Sequence, residues 1–246
     1  MTVSCVIPAR INSSRFPRKL LATAQGKTVL QRTFEKARQC PLLDAVYVAT
    51  DDEEIGDHIN DLGGNVIWTS SAPRDGTERI CEALGTHSEL KKASYIVNLQ
   101  GDHPCTNPST IEAIVKALKK DKFALLSTAV TLIKSQEDFL SPHVVKCVFD
   151  GQYNALYFSR SPIPYGNSQL AYAHIGIYCY RASFLRELSK EKPTPLQEAE
   201  NLEQLKVLEL GHRIKIAIVN EESLSVDTPQ DLVKLEEYLC RQNTFL

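Results

Sequence analysis

The apolar run at residues 3–7 constrains the fold more than any other stretch of the chain. It is short and rich in β-branched residues, which is typical of a strand buried on both faces of a parallel sheet. Pro8 ends it, because proline cannot donate to a strand ladder. A helical spacing of apolar residues follows at Val29, Leu30, Phe34 and Ala37. Strand, loop and helix in this order predict an α/β fold.

Three further β-runs continue the alternation, at residues 45–50, 65–69 and 94–99. Helical patterns follow each of them, and Asp51 or Asp52 is expected to cap the first of these helices. This spacing predicts a doubly wound, mainly parallel sheet. Ligands of such sheets bind at the carboxyl ends of the strands. The loops after the runs at 3–7, 65–69 and 94–99 are therefore expected to converge on one site.

The second half of the chain changes character. Strands are expected at 124–132, 144–149, 173–181 and 214–219, whereas 155–160 runs into a proline-rich stretch that does not suit a central strand. A single helix is predicted over residues 196–210, with Leu202, Leu205 and Leu208 facing the core and Gly211 ending it. A last helix opens after Asp227.

Composition narrows the class of protein. The chain is 43% hydrophobic and 24% charged, with a formal net charge of -2, which disfavours general nucleic-acid binding. Its seven scattered cysteines contain no CxxC pair and are typical of core residues in a reducing compartment. No apolar run approaches the roughly 20 residues that span a bilayer. We therefore expect a soluble, cytoplasmic protein with no stable membrane insertion.

The loop after Pro8 carries a cluster of cations, Arg10, Arg15, Arg18 and Lys19. At a strand end this cluster favours binding of an anionic ligand such as a polyphosphate. The alternative is an ordinary solvated basic loop. The loop has neither the GxxxxGK[ST] pattern of a Walker loop nor the GxGxxG pattern of a dinucleotide site.

Two carboxylates complete the chemistry that the residues predict. Asp102 follows a strand beside Gly101, in a turn held by Pro104, and Asp227 precedes the last helix. Asp227 alone is best explained as a helix cap, with Pro229 in the first turn. Two carboxylates beside a cationic loop, however, suit Mg²⁺-assisted phosphoryl or nucleotidyl transfer.

A set of motifs spread over nearly the whole chain resembles one enzyme family, the 3-deoxy-manno-octulosonate cytidylyltransferases (CMP-KDO synthetases). The motifs are, in order, PAR-x-x-S-S-R-x-P-x-K, TDD, GT-x-R, NLQGD-x-P, YFSR-x-PIPY, HIGIY, LEQL-x-x-LE-x-G and VDTP-x-DL. The first motif alone would also fit sialic acid cytidylyltransferases. The PIPY, HIGIY and LEQL stretches are more specific to the enzymes that act on 3-deoxy-manno-octulosonate (KDO).

The resemblance implies a nucleotidyltransferase fold, with CTP and KDO as substrates, CMP-KDO and pyrophosphate as products, and a role in lipopolysaccharide biosynthesis. It also implies Mg²⁺ as cofactor and a homodimer. The chain is then one domain, 1–246, in which 1–123 mainly binds nucleotide, 124–220 mainly serves sugar binding and dimerisation, and 221–246 returns as a helix to the core.

The resemblance also implies roles for individual residues. In the reaction, Arg10 and Lys19 would grip the triphosphate, with Ser14 and Arg15 in the same loop, and Asp102 and Asp227 would hold the metal. Ala9, Thr77 and Arg79 would border the cytosine. The expected sugar-binding residues are Gln100, Arg160, His174, Tyr178, Glu203 and Gln204. For His174 and Tyr178, half-buried packing on a strand is the alternative.

Two positions depart from the family pattern, and three alternatives to its activity stay open. His103 stands where the family usually has Glu, and Arg18 where it usually has Gly, so we expect that Arg18 does not need a positive φ. The alternatives are the same reaction on another acidic sugar such as sialic acid, a catalytically silent nucleotide-binding protein, and a nucleic-acid-binding role that the charge disfavours.

Overall fold

The computed structural model describes residues 1–13, 15–166, 168–220 and 224–243. The chain divides into two compact units. The first unit comprises Met1–Pro108 with Ser223–Leu246, and the second comprises Ser109–Glu222.

The first unit is built on a parallel sheet. Up to residue 108 its elements are β1 (Val3–Pro8), β2 (Thr23–Ala24), β3 (Lys27–Thr28), α1 (Val29–Arg38), β4 (Ala45–Thr50), α2 (Glu53–Asp61), β5 (Asn65–Trp68), α3 (Gly76–Thr86), α4 (Ser88–Lys92) and β6 (Tyr95–Leu99). The strands β6, β1, β4 and β5 lie side by side in that order, and all are parallel. The predicted alternation of strand and helix is confirmed here.

The core of the first unit follows from the predicted apolar runs. All residues of β1 and β6 are buried, as expected of central parallel strands covered on both faces. On α1, Val29, Leu30, Phe34 and Ala37 are buried, so the stripe seen in the sequence is the face that packs inward. Burying each large apolar side chain contributes roughly 1.5–3 kcal/mol relative to exposure.

The two acidic residues after β4, Asp51 and Asp52, have different partners. Asp52 caps α2, because its side chain accepts a hydrogen bond from the Ile55 amide at 3.1 Å. Asp51 instead forms an ion pair with Arg79 at 3.0 Å. The predicted cap is therefore confirmed and falls to the second of the two candidates.

The second unit has a mixed sheet. Its elements are α5 (Pro108–Lys120), β7 (Leu126–Leu132), α6 (Gln136–Leu140), β8 (Lys146–Phe149), β9 (Ala155–Ser159), β10 (Tyr172–Arg181), α7 (Ala182–Leu188), α8 (Pro195–Glu200), α9 (Glu203–Glu209) and β11 (Ile214–Val219). β7 pairs with β11 in parallel and with β10 antiparallel, while β8 lies antiparallel to both β10 and β9. The predicted strands of this half are confirmed, within two or three residues at each end.

The prediction of one helix over residues 196–210 is wrong. The segment forms two helices, α8 and α9, and Asn201 between them has a φ of 52°. Asparagine adopts this left-handed conformation at a lower cost than most residues, so the sequence carries no strong break signal. Leu202 and Leu205 are buried as expected, Leu208 is only partly buried, and Gly211 ends the segment with a φ of 78°.

The last helix, α10 (Pro229–Asn243), belongs to the first unit. The Thr228 hydroxyl accepts from the Asp231 amide at 3.3 Å, and the Asp231 carboxylate accepts from the Thr228 amide at 3.0 Å. This reciprocal pair caps the helix. Asp227 is not the cap, and its carboxylate is available for other partners.

Arg18 contradicts the expectation that its position needs no positive φ. It has a φ of 59° and a ψ of 24° as it enters a short 3-10 helix, and its amide donates to the Ile11 carbonyl at 3.2 Å. The loop closure fixes this conformation, and arginine adopts it at a steric cost of roughly 1–2 kcal/mol. The Arg18 guanidinium is bonded to Glu54.

Replacing Arg18 by glycine or by alanine separates backbone strain from the ion pair. Both variants lose the contact with Glu54, but only glycine relieves the left-handed strain. We expect Arg18→Gly to be more stable than Arg18→Ala by about 1 kcal/mol, after the greater flexibility of unfolded glycine is subtracted. Urea unfolding measures the difference, and equal midpoints would contradict the observed backbone conformation.

Within the described ranges, no helix combines the length and the apolar character needed to cross a membrane.

Candidate active site

A cleft of about 480 Å³ opens at the carboxyl ends of β1, β5 and β6 in the first unit. We call it the carboxyl-end cleft. Its lining comes from the three loops that follow these strands and from the start of the last segment: Pro8, Arg10, Asn12, Ser13, Arg15, Lys19, Leu20, Arg74, Asp75, Gly76, Gln100, Gly101, Asp102 and Asp227. The predicted convergence of the three loops is confirmed.

Lys19 joins the two predicted carboxylates in this cleft. Its ammonium lies 2.5 Å from Asp102 Oδ2 and 3.0 Å from Asp227 Oδ1. A backbone bond from the Val226 amide to the Asp102 carbonyl, at 2.9 Å, holds the last segment beside the β6 loop. The side chains of Lys19, Asp102 and Asp227 are 14%, 21% and 34% exposed, so this charged group is partly shielded from water.

The pKa of Lys19 reflects this arrangement. Burial by itself lowers the pKa, but the Asp102 and then the Asp227 carboxylate outweigh it, so the pKa of Lys19 is raised above its usual value. The ammonium is therefore charged at neutral pH and is held between two anions.

The other cations of the basic loop have distinct partners. The Arg10 guanidinium donates to the carbonyls of Pro73 and Arg74 at 2.6 and 2.8 Å. Arg15 bonds to Asp227 Oδ1 at 2.9 Å. The structure thus brings Arg10, Arg15 and Lys19 to one cleft, which favours the anion-binding interpretation over a solvated basic loop. Ser14, also predicted here, lies outside the described residues.

The residues predicted to border a cytosine are Ala9, Thr77 and Arg79, and they have the following contacts. The Ala9 amide donates to the Ala49 carbonyl at 2.9 Å. Arg79 is 1% exposed, with its guanidinium bonded to Asp51 and to the Thr69 hydroxyl. Arg79 thereby fixes the start of the loop whose later carbonyls hold Arg10. Thr77 lies in the first turn of α3, next to the cleft residue Gly76.

Gln100 lines the cleft, and its amide is held from two sides. Nε2 donates to Asn98 Oδ1 at 2.9 Å, and the side chain packs so closely on Gly76 that a Cβ there would lie 3.2 Å from Gln100 Oε1.

His103, the first departure from the family pattern, has Nε2 3.7 Å from Asp102 Oδ1. Its ring therefore stands beside the carboxylate without a close hydrogen bond to it.

The donors in the cleft fit Mg²⁺. Throughout the described residues, no group of three or more His, Cys, Asp and Glu side chains could hold a metal by itself. Asp102 and Asp227 share one cation and so lie close enough to share another. Mg²⁺ is bound in proteins through one or two carboxylates plus substrate phosphates, rather than by a full cage of side chains.

In the second unit, β10 brings together most of the predicted sugar-binding residues. The rings of His174 and Tyr178 are 5.4 Å apart, although four residues of regular strand would span about 13 Å. The ladder shifts register between Ile175 and Tyr178, and this bulge shortens the separation. The Tyr178 hydroxyl donates to Gln204 Oε1 at 3.2 Å. We call His174, Tyr178, Glu203 and Gln204 the β10 cluster.

The cluster combines packing with polar groups. His174 Nε2 lies 2.9 Å from the Thr128 hydroxyl, and its ring packs edge-on against Phe158, as the packing alternative expected. Burial, and then the Glu203 carboxylate, raise the pKa of Tyr178, so its hydroxyl stays protonated. Gln204 is 4% exposed, and among the described residues its buried Nε2 donor has no hydrogen-bond partner. Such a donor is costly unless water or a ligand satisfies it.

Arg160 lies at the end of β9 and is oriented by backbone carbonyls. Its guanidinium donates to Glu200 O at 2.8 Å, Pro142 O at 3.0 Å and Asn201 O at 3.3 Å. In the part of the chain that the structure describes, no carboxylate forms an ion pair with it. The guanidinium is therefore fixed in direction by backbone carbonyls rather than by an ion pair.

Sequence reasoning missed two residues whose side chains bond to the backbone of Arg160, Lys146 and Glu200. Lys146 stands in the apolar run 144–148, and a lysine inside such a run is a signal of burial that could have been used. Glu200 gave no signal, because residues 196–210 were interpreted as one amphipathic helix.

Comparison with known proteins shows which family of enzymes the chain belongs to. The cytidylyltransferase family model matches residues 4–215, which include β1, the basic loop and most of the second unit. A parallel α/β sheet with cations and carboxylates at its carboxyl edge is the architecture expected of a nucleotidyltransferase. The chain belongs to the cytidylyltransferase family, and the nucleotidyltransferase class is confirmed.

Individual relatives narrow the family further. The 3-deoxy-manno-octulosonate cytidylyltransferase of Protochlamydia amoebophila (strain UWE25) is 48% identical over 247 residues, covering 98% of this chain and 95% of the relative. That of Chlamydia pneumoniae is 45% identical over 243 residues, with the same coverage. A solved structure of CMP:2-keto-3-deoxy-manno-octonic acid synthetase complexed with CTP matches with a TM-score of 0.92 at 34% identity, covering 98% of this chain and 100% of that one. Within its family the chain is a member of the 3-deoxy-manno-octulosonate cytidylyltransferases.

Proposed function

We propose that this enzyme transfers CMP from CTP to KDO, releasing pyrophosphate and supplying CMP-KDO for lipopolysaccharide biosynthesis. The single observation that carries the proposal is the meeting of Lys19, Asp102 and Asp227 in the carboxyl-end cleft. This group has the cation and the carboxylates that nucleotidyl transfer needs. Full-length similarity to KDO cytidylyltransferases supports the sugar.

In the proposed reaction the 2-hydroxyl of KDO attacks the α-phosphorus of CTP. A bond forms from that oxygen to phosphorus, the bond from phosphorus to the β-phosphate oxygen breaks with its electron pair on the leaving pyrophosphate, and the hydroxyl proton passes to solvent. Arg10, Arg15 and Lys19 bind the triphosphate oxygens and neutralise the charge that develops on the leaving group. Catalysis therefore comes from positioning and electrostatics rather than from a covalent intermediate.

The first unit holds the proposed nucleotide and metal sites. We assign Asp102 and Asp227 to Mg²⁺, which when bound supplies Lewis-acid neutralisation of the phosphate oxygens. Lys19 and Arg15 form ion pairs with these carboxylates. A triphosphate would bind the same two cations, and Asp102 and Asp227 would then hold the metal through their carboxylates.

The second unit supplies most of the proposed sugar contacts. Arg160 would bind the KDO carboxylate, and the β10 cluster would bind hydroxyl groups, with the Gln204 amide, which has no partner among the described residues, as one donor. Gln100 lines the cleft of the first unit, where its Nε2 is engaged by Asn98 and its Oε1 serves as an acceptor, and the resemblance alone supports its assignment to the sugar. We also propose a homodimer in the cytoplasm, for which the resemblance is the support and light scattering of the purified chain the test of assembly.

Pyrophosphate release with CTP tests the function across a panel of acidic sugars. We expect turnover with KDO and little with sialic acid. Preference for sialic acid would mean that the enzyme catalyses the same reaction on another acidic sugar. Binding of CTP without turnover on any sugar would overturn the proposal in favour of a silent nucleotide-binding protein.

CTP is expected to be preferred over UTP by at least about 100-fold in kcat/KM. The 4-amino group of cytosine donates to backbone carbonyls near Ala9 and the loop before α3, whereas the uracil carbonyl leaves those acceptors unpaired. Steady-state kinetics with each nucleotide at saturating KDO measure the ratio. Comparable values for the two nucleotides would refute this assignment of the base site.

A further inference from the structure

Lys146 is a fully buried lysine that the proposed reaction does not use. It lies at the start of β8 with 0% exposure. Its ammonium donates to three backbone carbonyls, those of Ser141 at 2.8 Å, Val144 at 2.7 Å and Arg160 at 2.5 Å. All three donors of the ammonium are thus satisfied. A buried charge whose hydrogen-bond partners are carbonyls is costly.

The three carbonyls belong to the two segments that determine where the Arg160 side chain points. One is the carbonyl of Arg160 itself. The other two flank Pro142, whose carbonyl accepts from the Arg160 guanidinium at 3.0 Å. Lys146 therefore fastens the backbone of Arg160 to the loop that orients its guanidinium.

Glu200 fastens the same residue from the opposite side. Its carboxylate accepts from the Arg160 amide at 2.8 Å and from the Ser159 hydroxyl at 2.6 Å, and its own carbonyl accepts from Arg160 Nε at 2.8 Å. The carboxylate is engaged with an amide and a hydroxyl rather than with the guanidinium. Glu200 thus adds orientation without an ion pair to the guanidinium.

The charges around Arg160 favour an anion. The three charged residues joined by these bonds are two cations, Lys146 and Arg160, and one anion, Glu200. Burial, together with the nearby Arg160 charge, lowers the pKa of Lys146 against the opposing effect of Glu200. A guanidinium that is oriented by carbonyls and has no ion pair among the described residues is suited to a planar carboxylate, which it binds through two parallel donors.

We propose that Lys146 and Glu200 are positioning residues that hold the Arg160 guanidinium in the direction needed to bind the carboxylate of the acidic sugar. This inference rests on the proposed function, since it takes KDO as the sugar. Neither residue touches the substrate. Their effect passes through Arg160, and removing Arg160 must therefore remove their effect.

A double-mutant cycle tests this dependence. Lys146→Met keeps the length of the side chain and removes the three donors. We expect it to raise KM for KDO about 10-fold, with kcat and the KM for CTP changed by less than about 2-fold. In an Arg160→Ala background the same change should alter KM for KDO by less than about 2-fold, because the group that it orients is gone.

Glu200→Gln is the second variant, in case Lys146→Met does not fold. It nearly preserves volume and keeps the Glu200 backbone carbonyl, and the same non-additivity with Arg160→Ala is expected. Lys215→Met is the matched control. Lys215 is partly buried, and its ammonium contacts the Gln152 carbonyl at 2.7 Å, Asn154 Oδ1 at 3.3 Å and Asp121 at 3.0 Å. Among the described residues it has no hydrogen bond or ion pair with Arg160, Pro142 or Glu200. It should lower the melting temperature and leave KM for KDO unchanged.

The outcomes separate the inference from the proposed function. If the wild-type enzyme does not turn over KDO, the proposed function fails. If it does, and Lys146→Met and Glu200→Gln raise KM for KDO equally with and without Arg160, or raise it no more than Lys215→Met does, the positioning role is overturned.

Discussion

Asp102→Asn and Asp227→Asn are each expected to lower turnover by about 10²–10⁴-fold while the protein stays folded. Each change keeps the shape of the side chain and removes one anionic charge from the group around Lys19. The proposed Mg²⁺ then loses a ligand, and the triphosphate loses the cation that offsets its charge. Pyrophosphate release at saturating substrates measures the loss.

The fold gives this experiment a matched control. Thr228 and Asp231 cap α10, so Asp227→Asn should leave the melting temperature within a few degrees of wild type. Asp231→Ala removes the carboxylate half of this reciprocal cap and should cost up to about 1 kcal/mol of stability, with a much smaller effect on turnover. Near wild-type turnover of both asparagine variants, with intact folds, would remove the metal assignment. Chelation of divalent ions in the wild type should reproduce their defect.

Arg160→Lys is expected to lower kcat/KM for KDO by roughly 10–100-fold, although it keeps the charge. The guanidinium reaches three carbonyls from three different nitrogens and can still present donors to a carboxylate. An ammonium is one point with three donors on a flexible stem, so it cannot keep both sets of contacts. The measurement is steady-state kinetics with varied KDO at saturating CTP.

The nucleotide is the internal reference for this variant. We expect the KM for CTP to change by less than about 2-fold, because Arg160 and the carboxyl-end cleft belong to different compact units. Arg213→Lys, on an arginine that lies over the Phe123 ring in the second unit, should leave both constants unchanged. Equal losses toward KDO and CTP would indicate a folding defect, and no loss would exclude Arg160 from the sugar site.

The sequence was most informative where local chemistry decides local structure. The strand at 3–7 is buried on both faces because its apolar run has no polar alternation, and Pro8 ends it because it lacks a donor. The helix of Val29, Leu30, Phe34 and Ala37 follows from spacing alone. The convergence of three loops follows from a rule of parallel sheets rather than from any single contact. The motifs named the family, since they preserve both residue type and order.

The sequence failed where one residue tolerates two conformations. Asn201 can continue a helix or turn in the left-handed region, and only the burial of Leu202 and Leu205 decides between these states. Arg18 is more instructive, because its residue type argued against a positive φ. Closure of the loop onto the Ile11 carbonyl requires that conformation and outweighs the local preference.

The sequence by itself determined most of the longer strands and helices, the family and the types of residue available for catalysis. The tertiary structure alone decided which of them act together. Lys19 and Asp227 are 208 positions apart and meet at 3.0 Å, the bulge in β10 brings His174 to Tyr178, and Lys146 finds the carbonyl of Arg160. Periodicity records only neighbours within a few residues, whereas these contacts form when separate elements pack. Only packing therefore distinguishes Asp227 as an ion-pair partner from Asp227 as a helix cap.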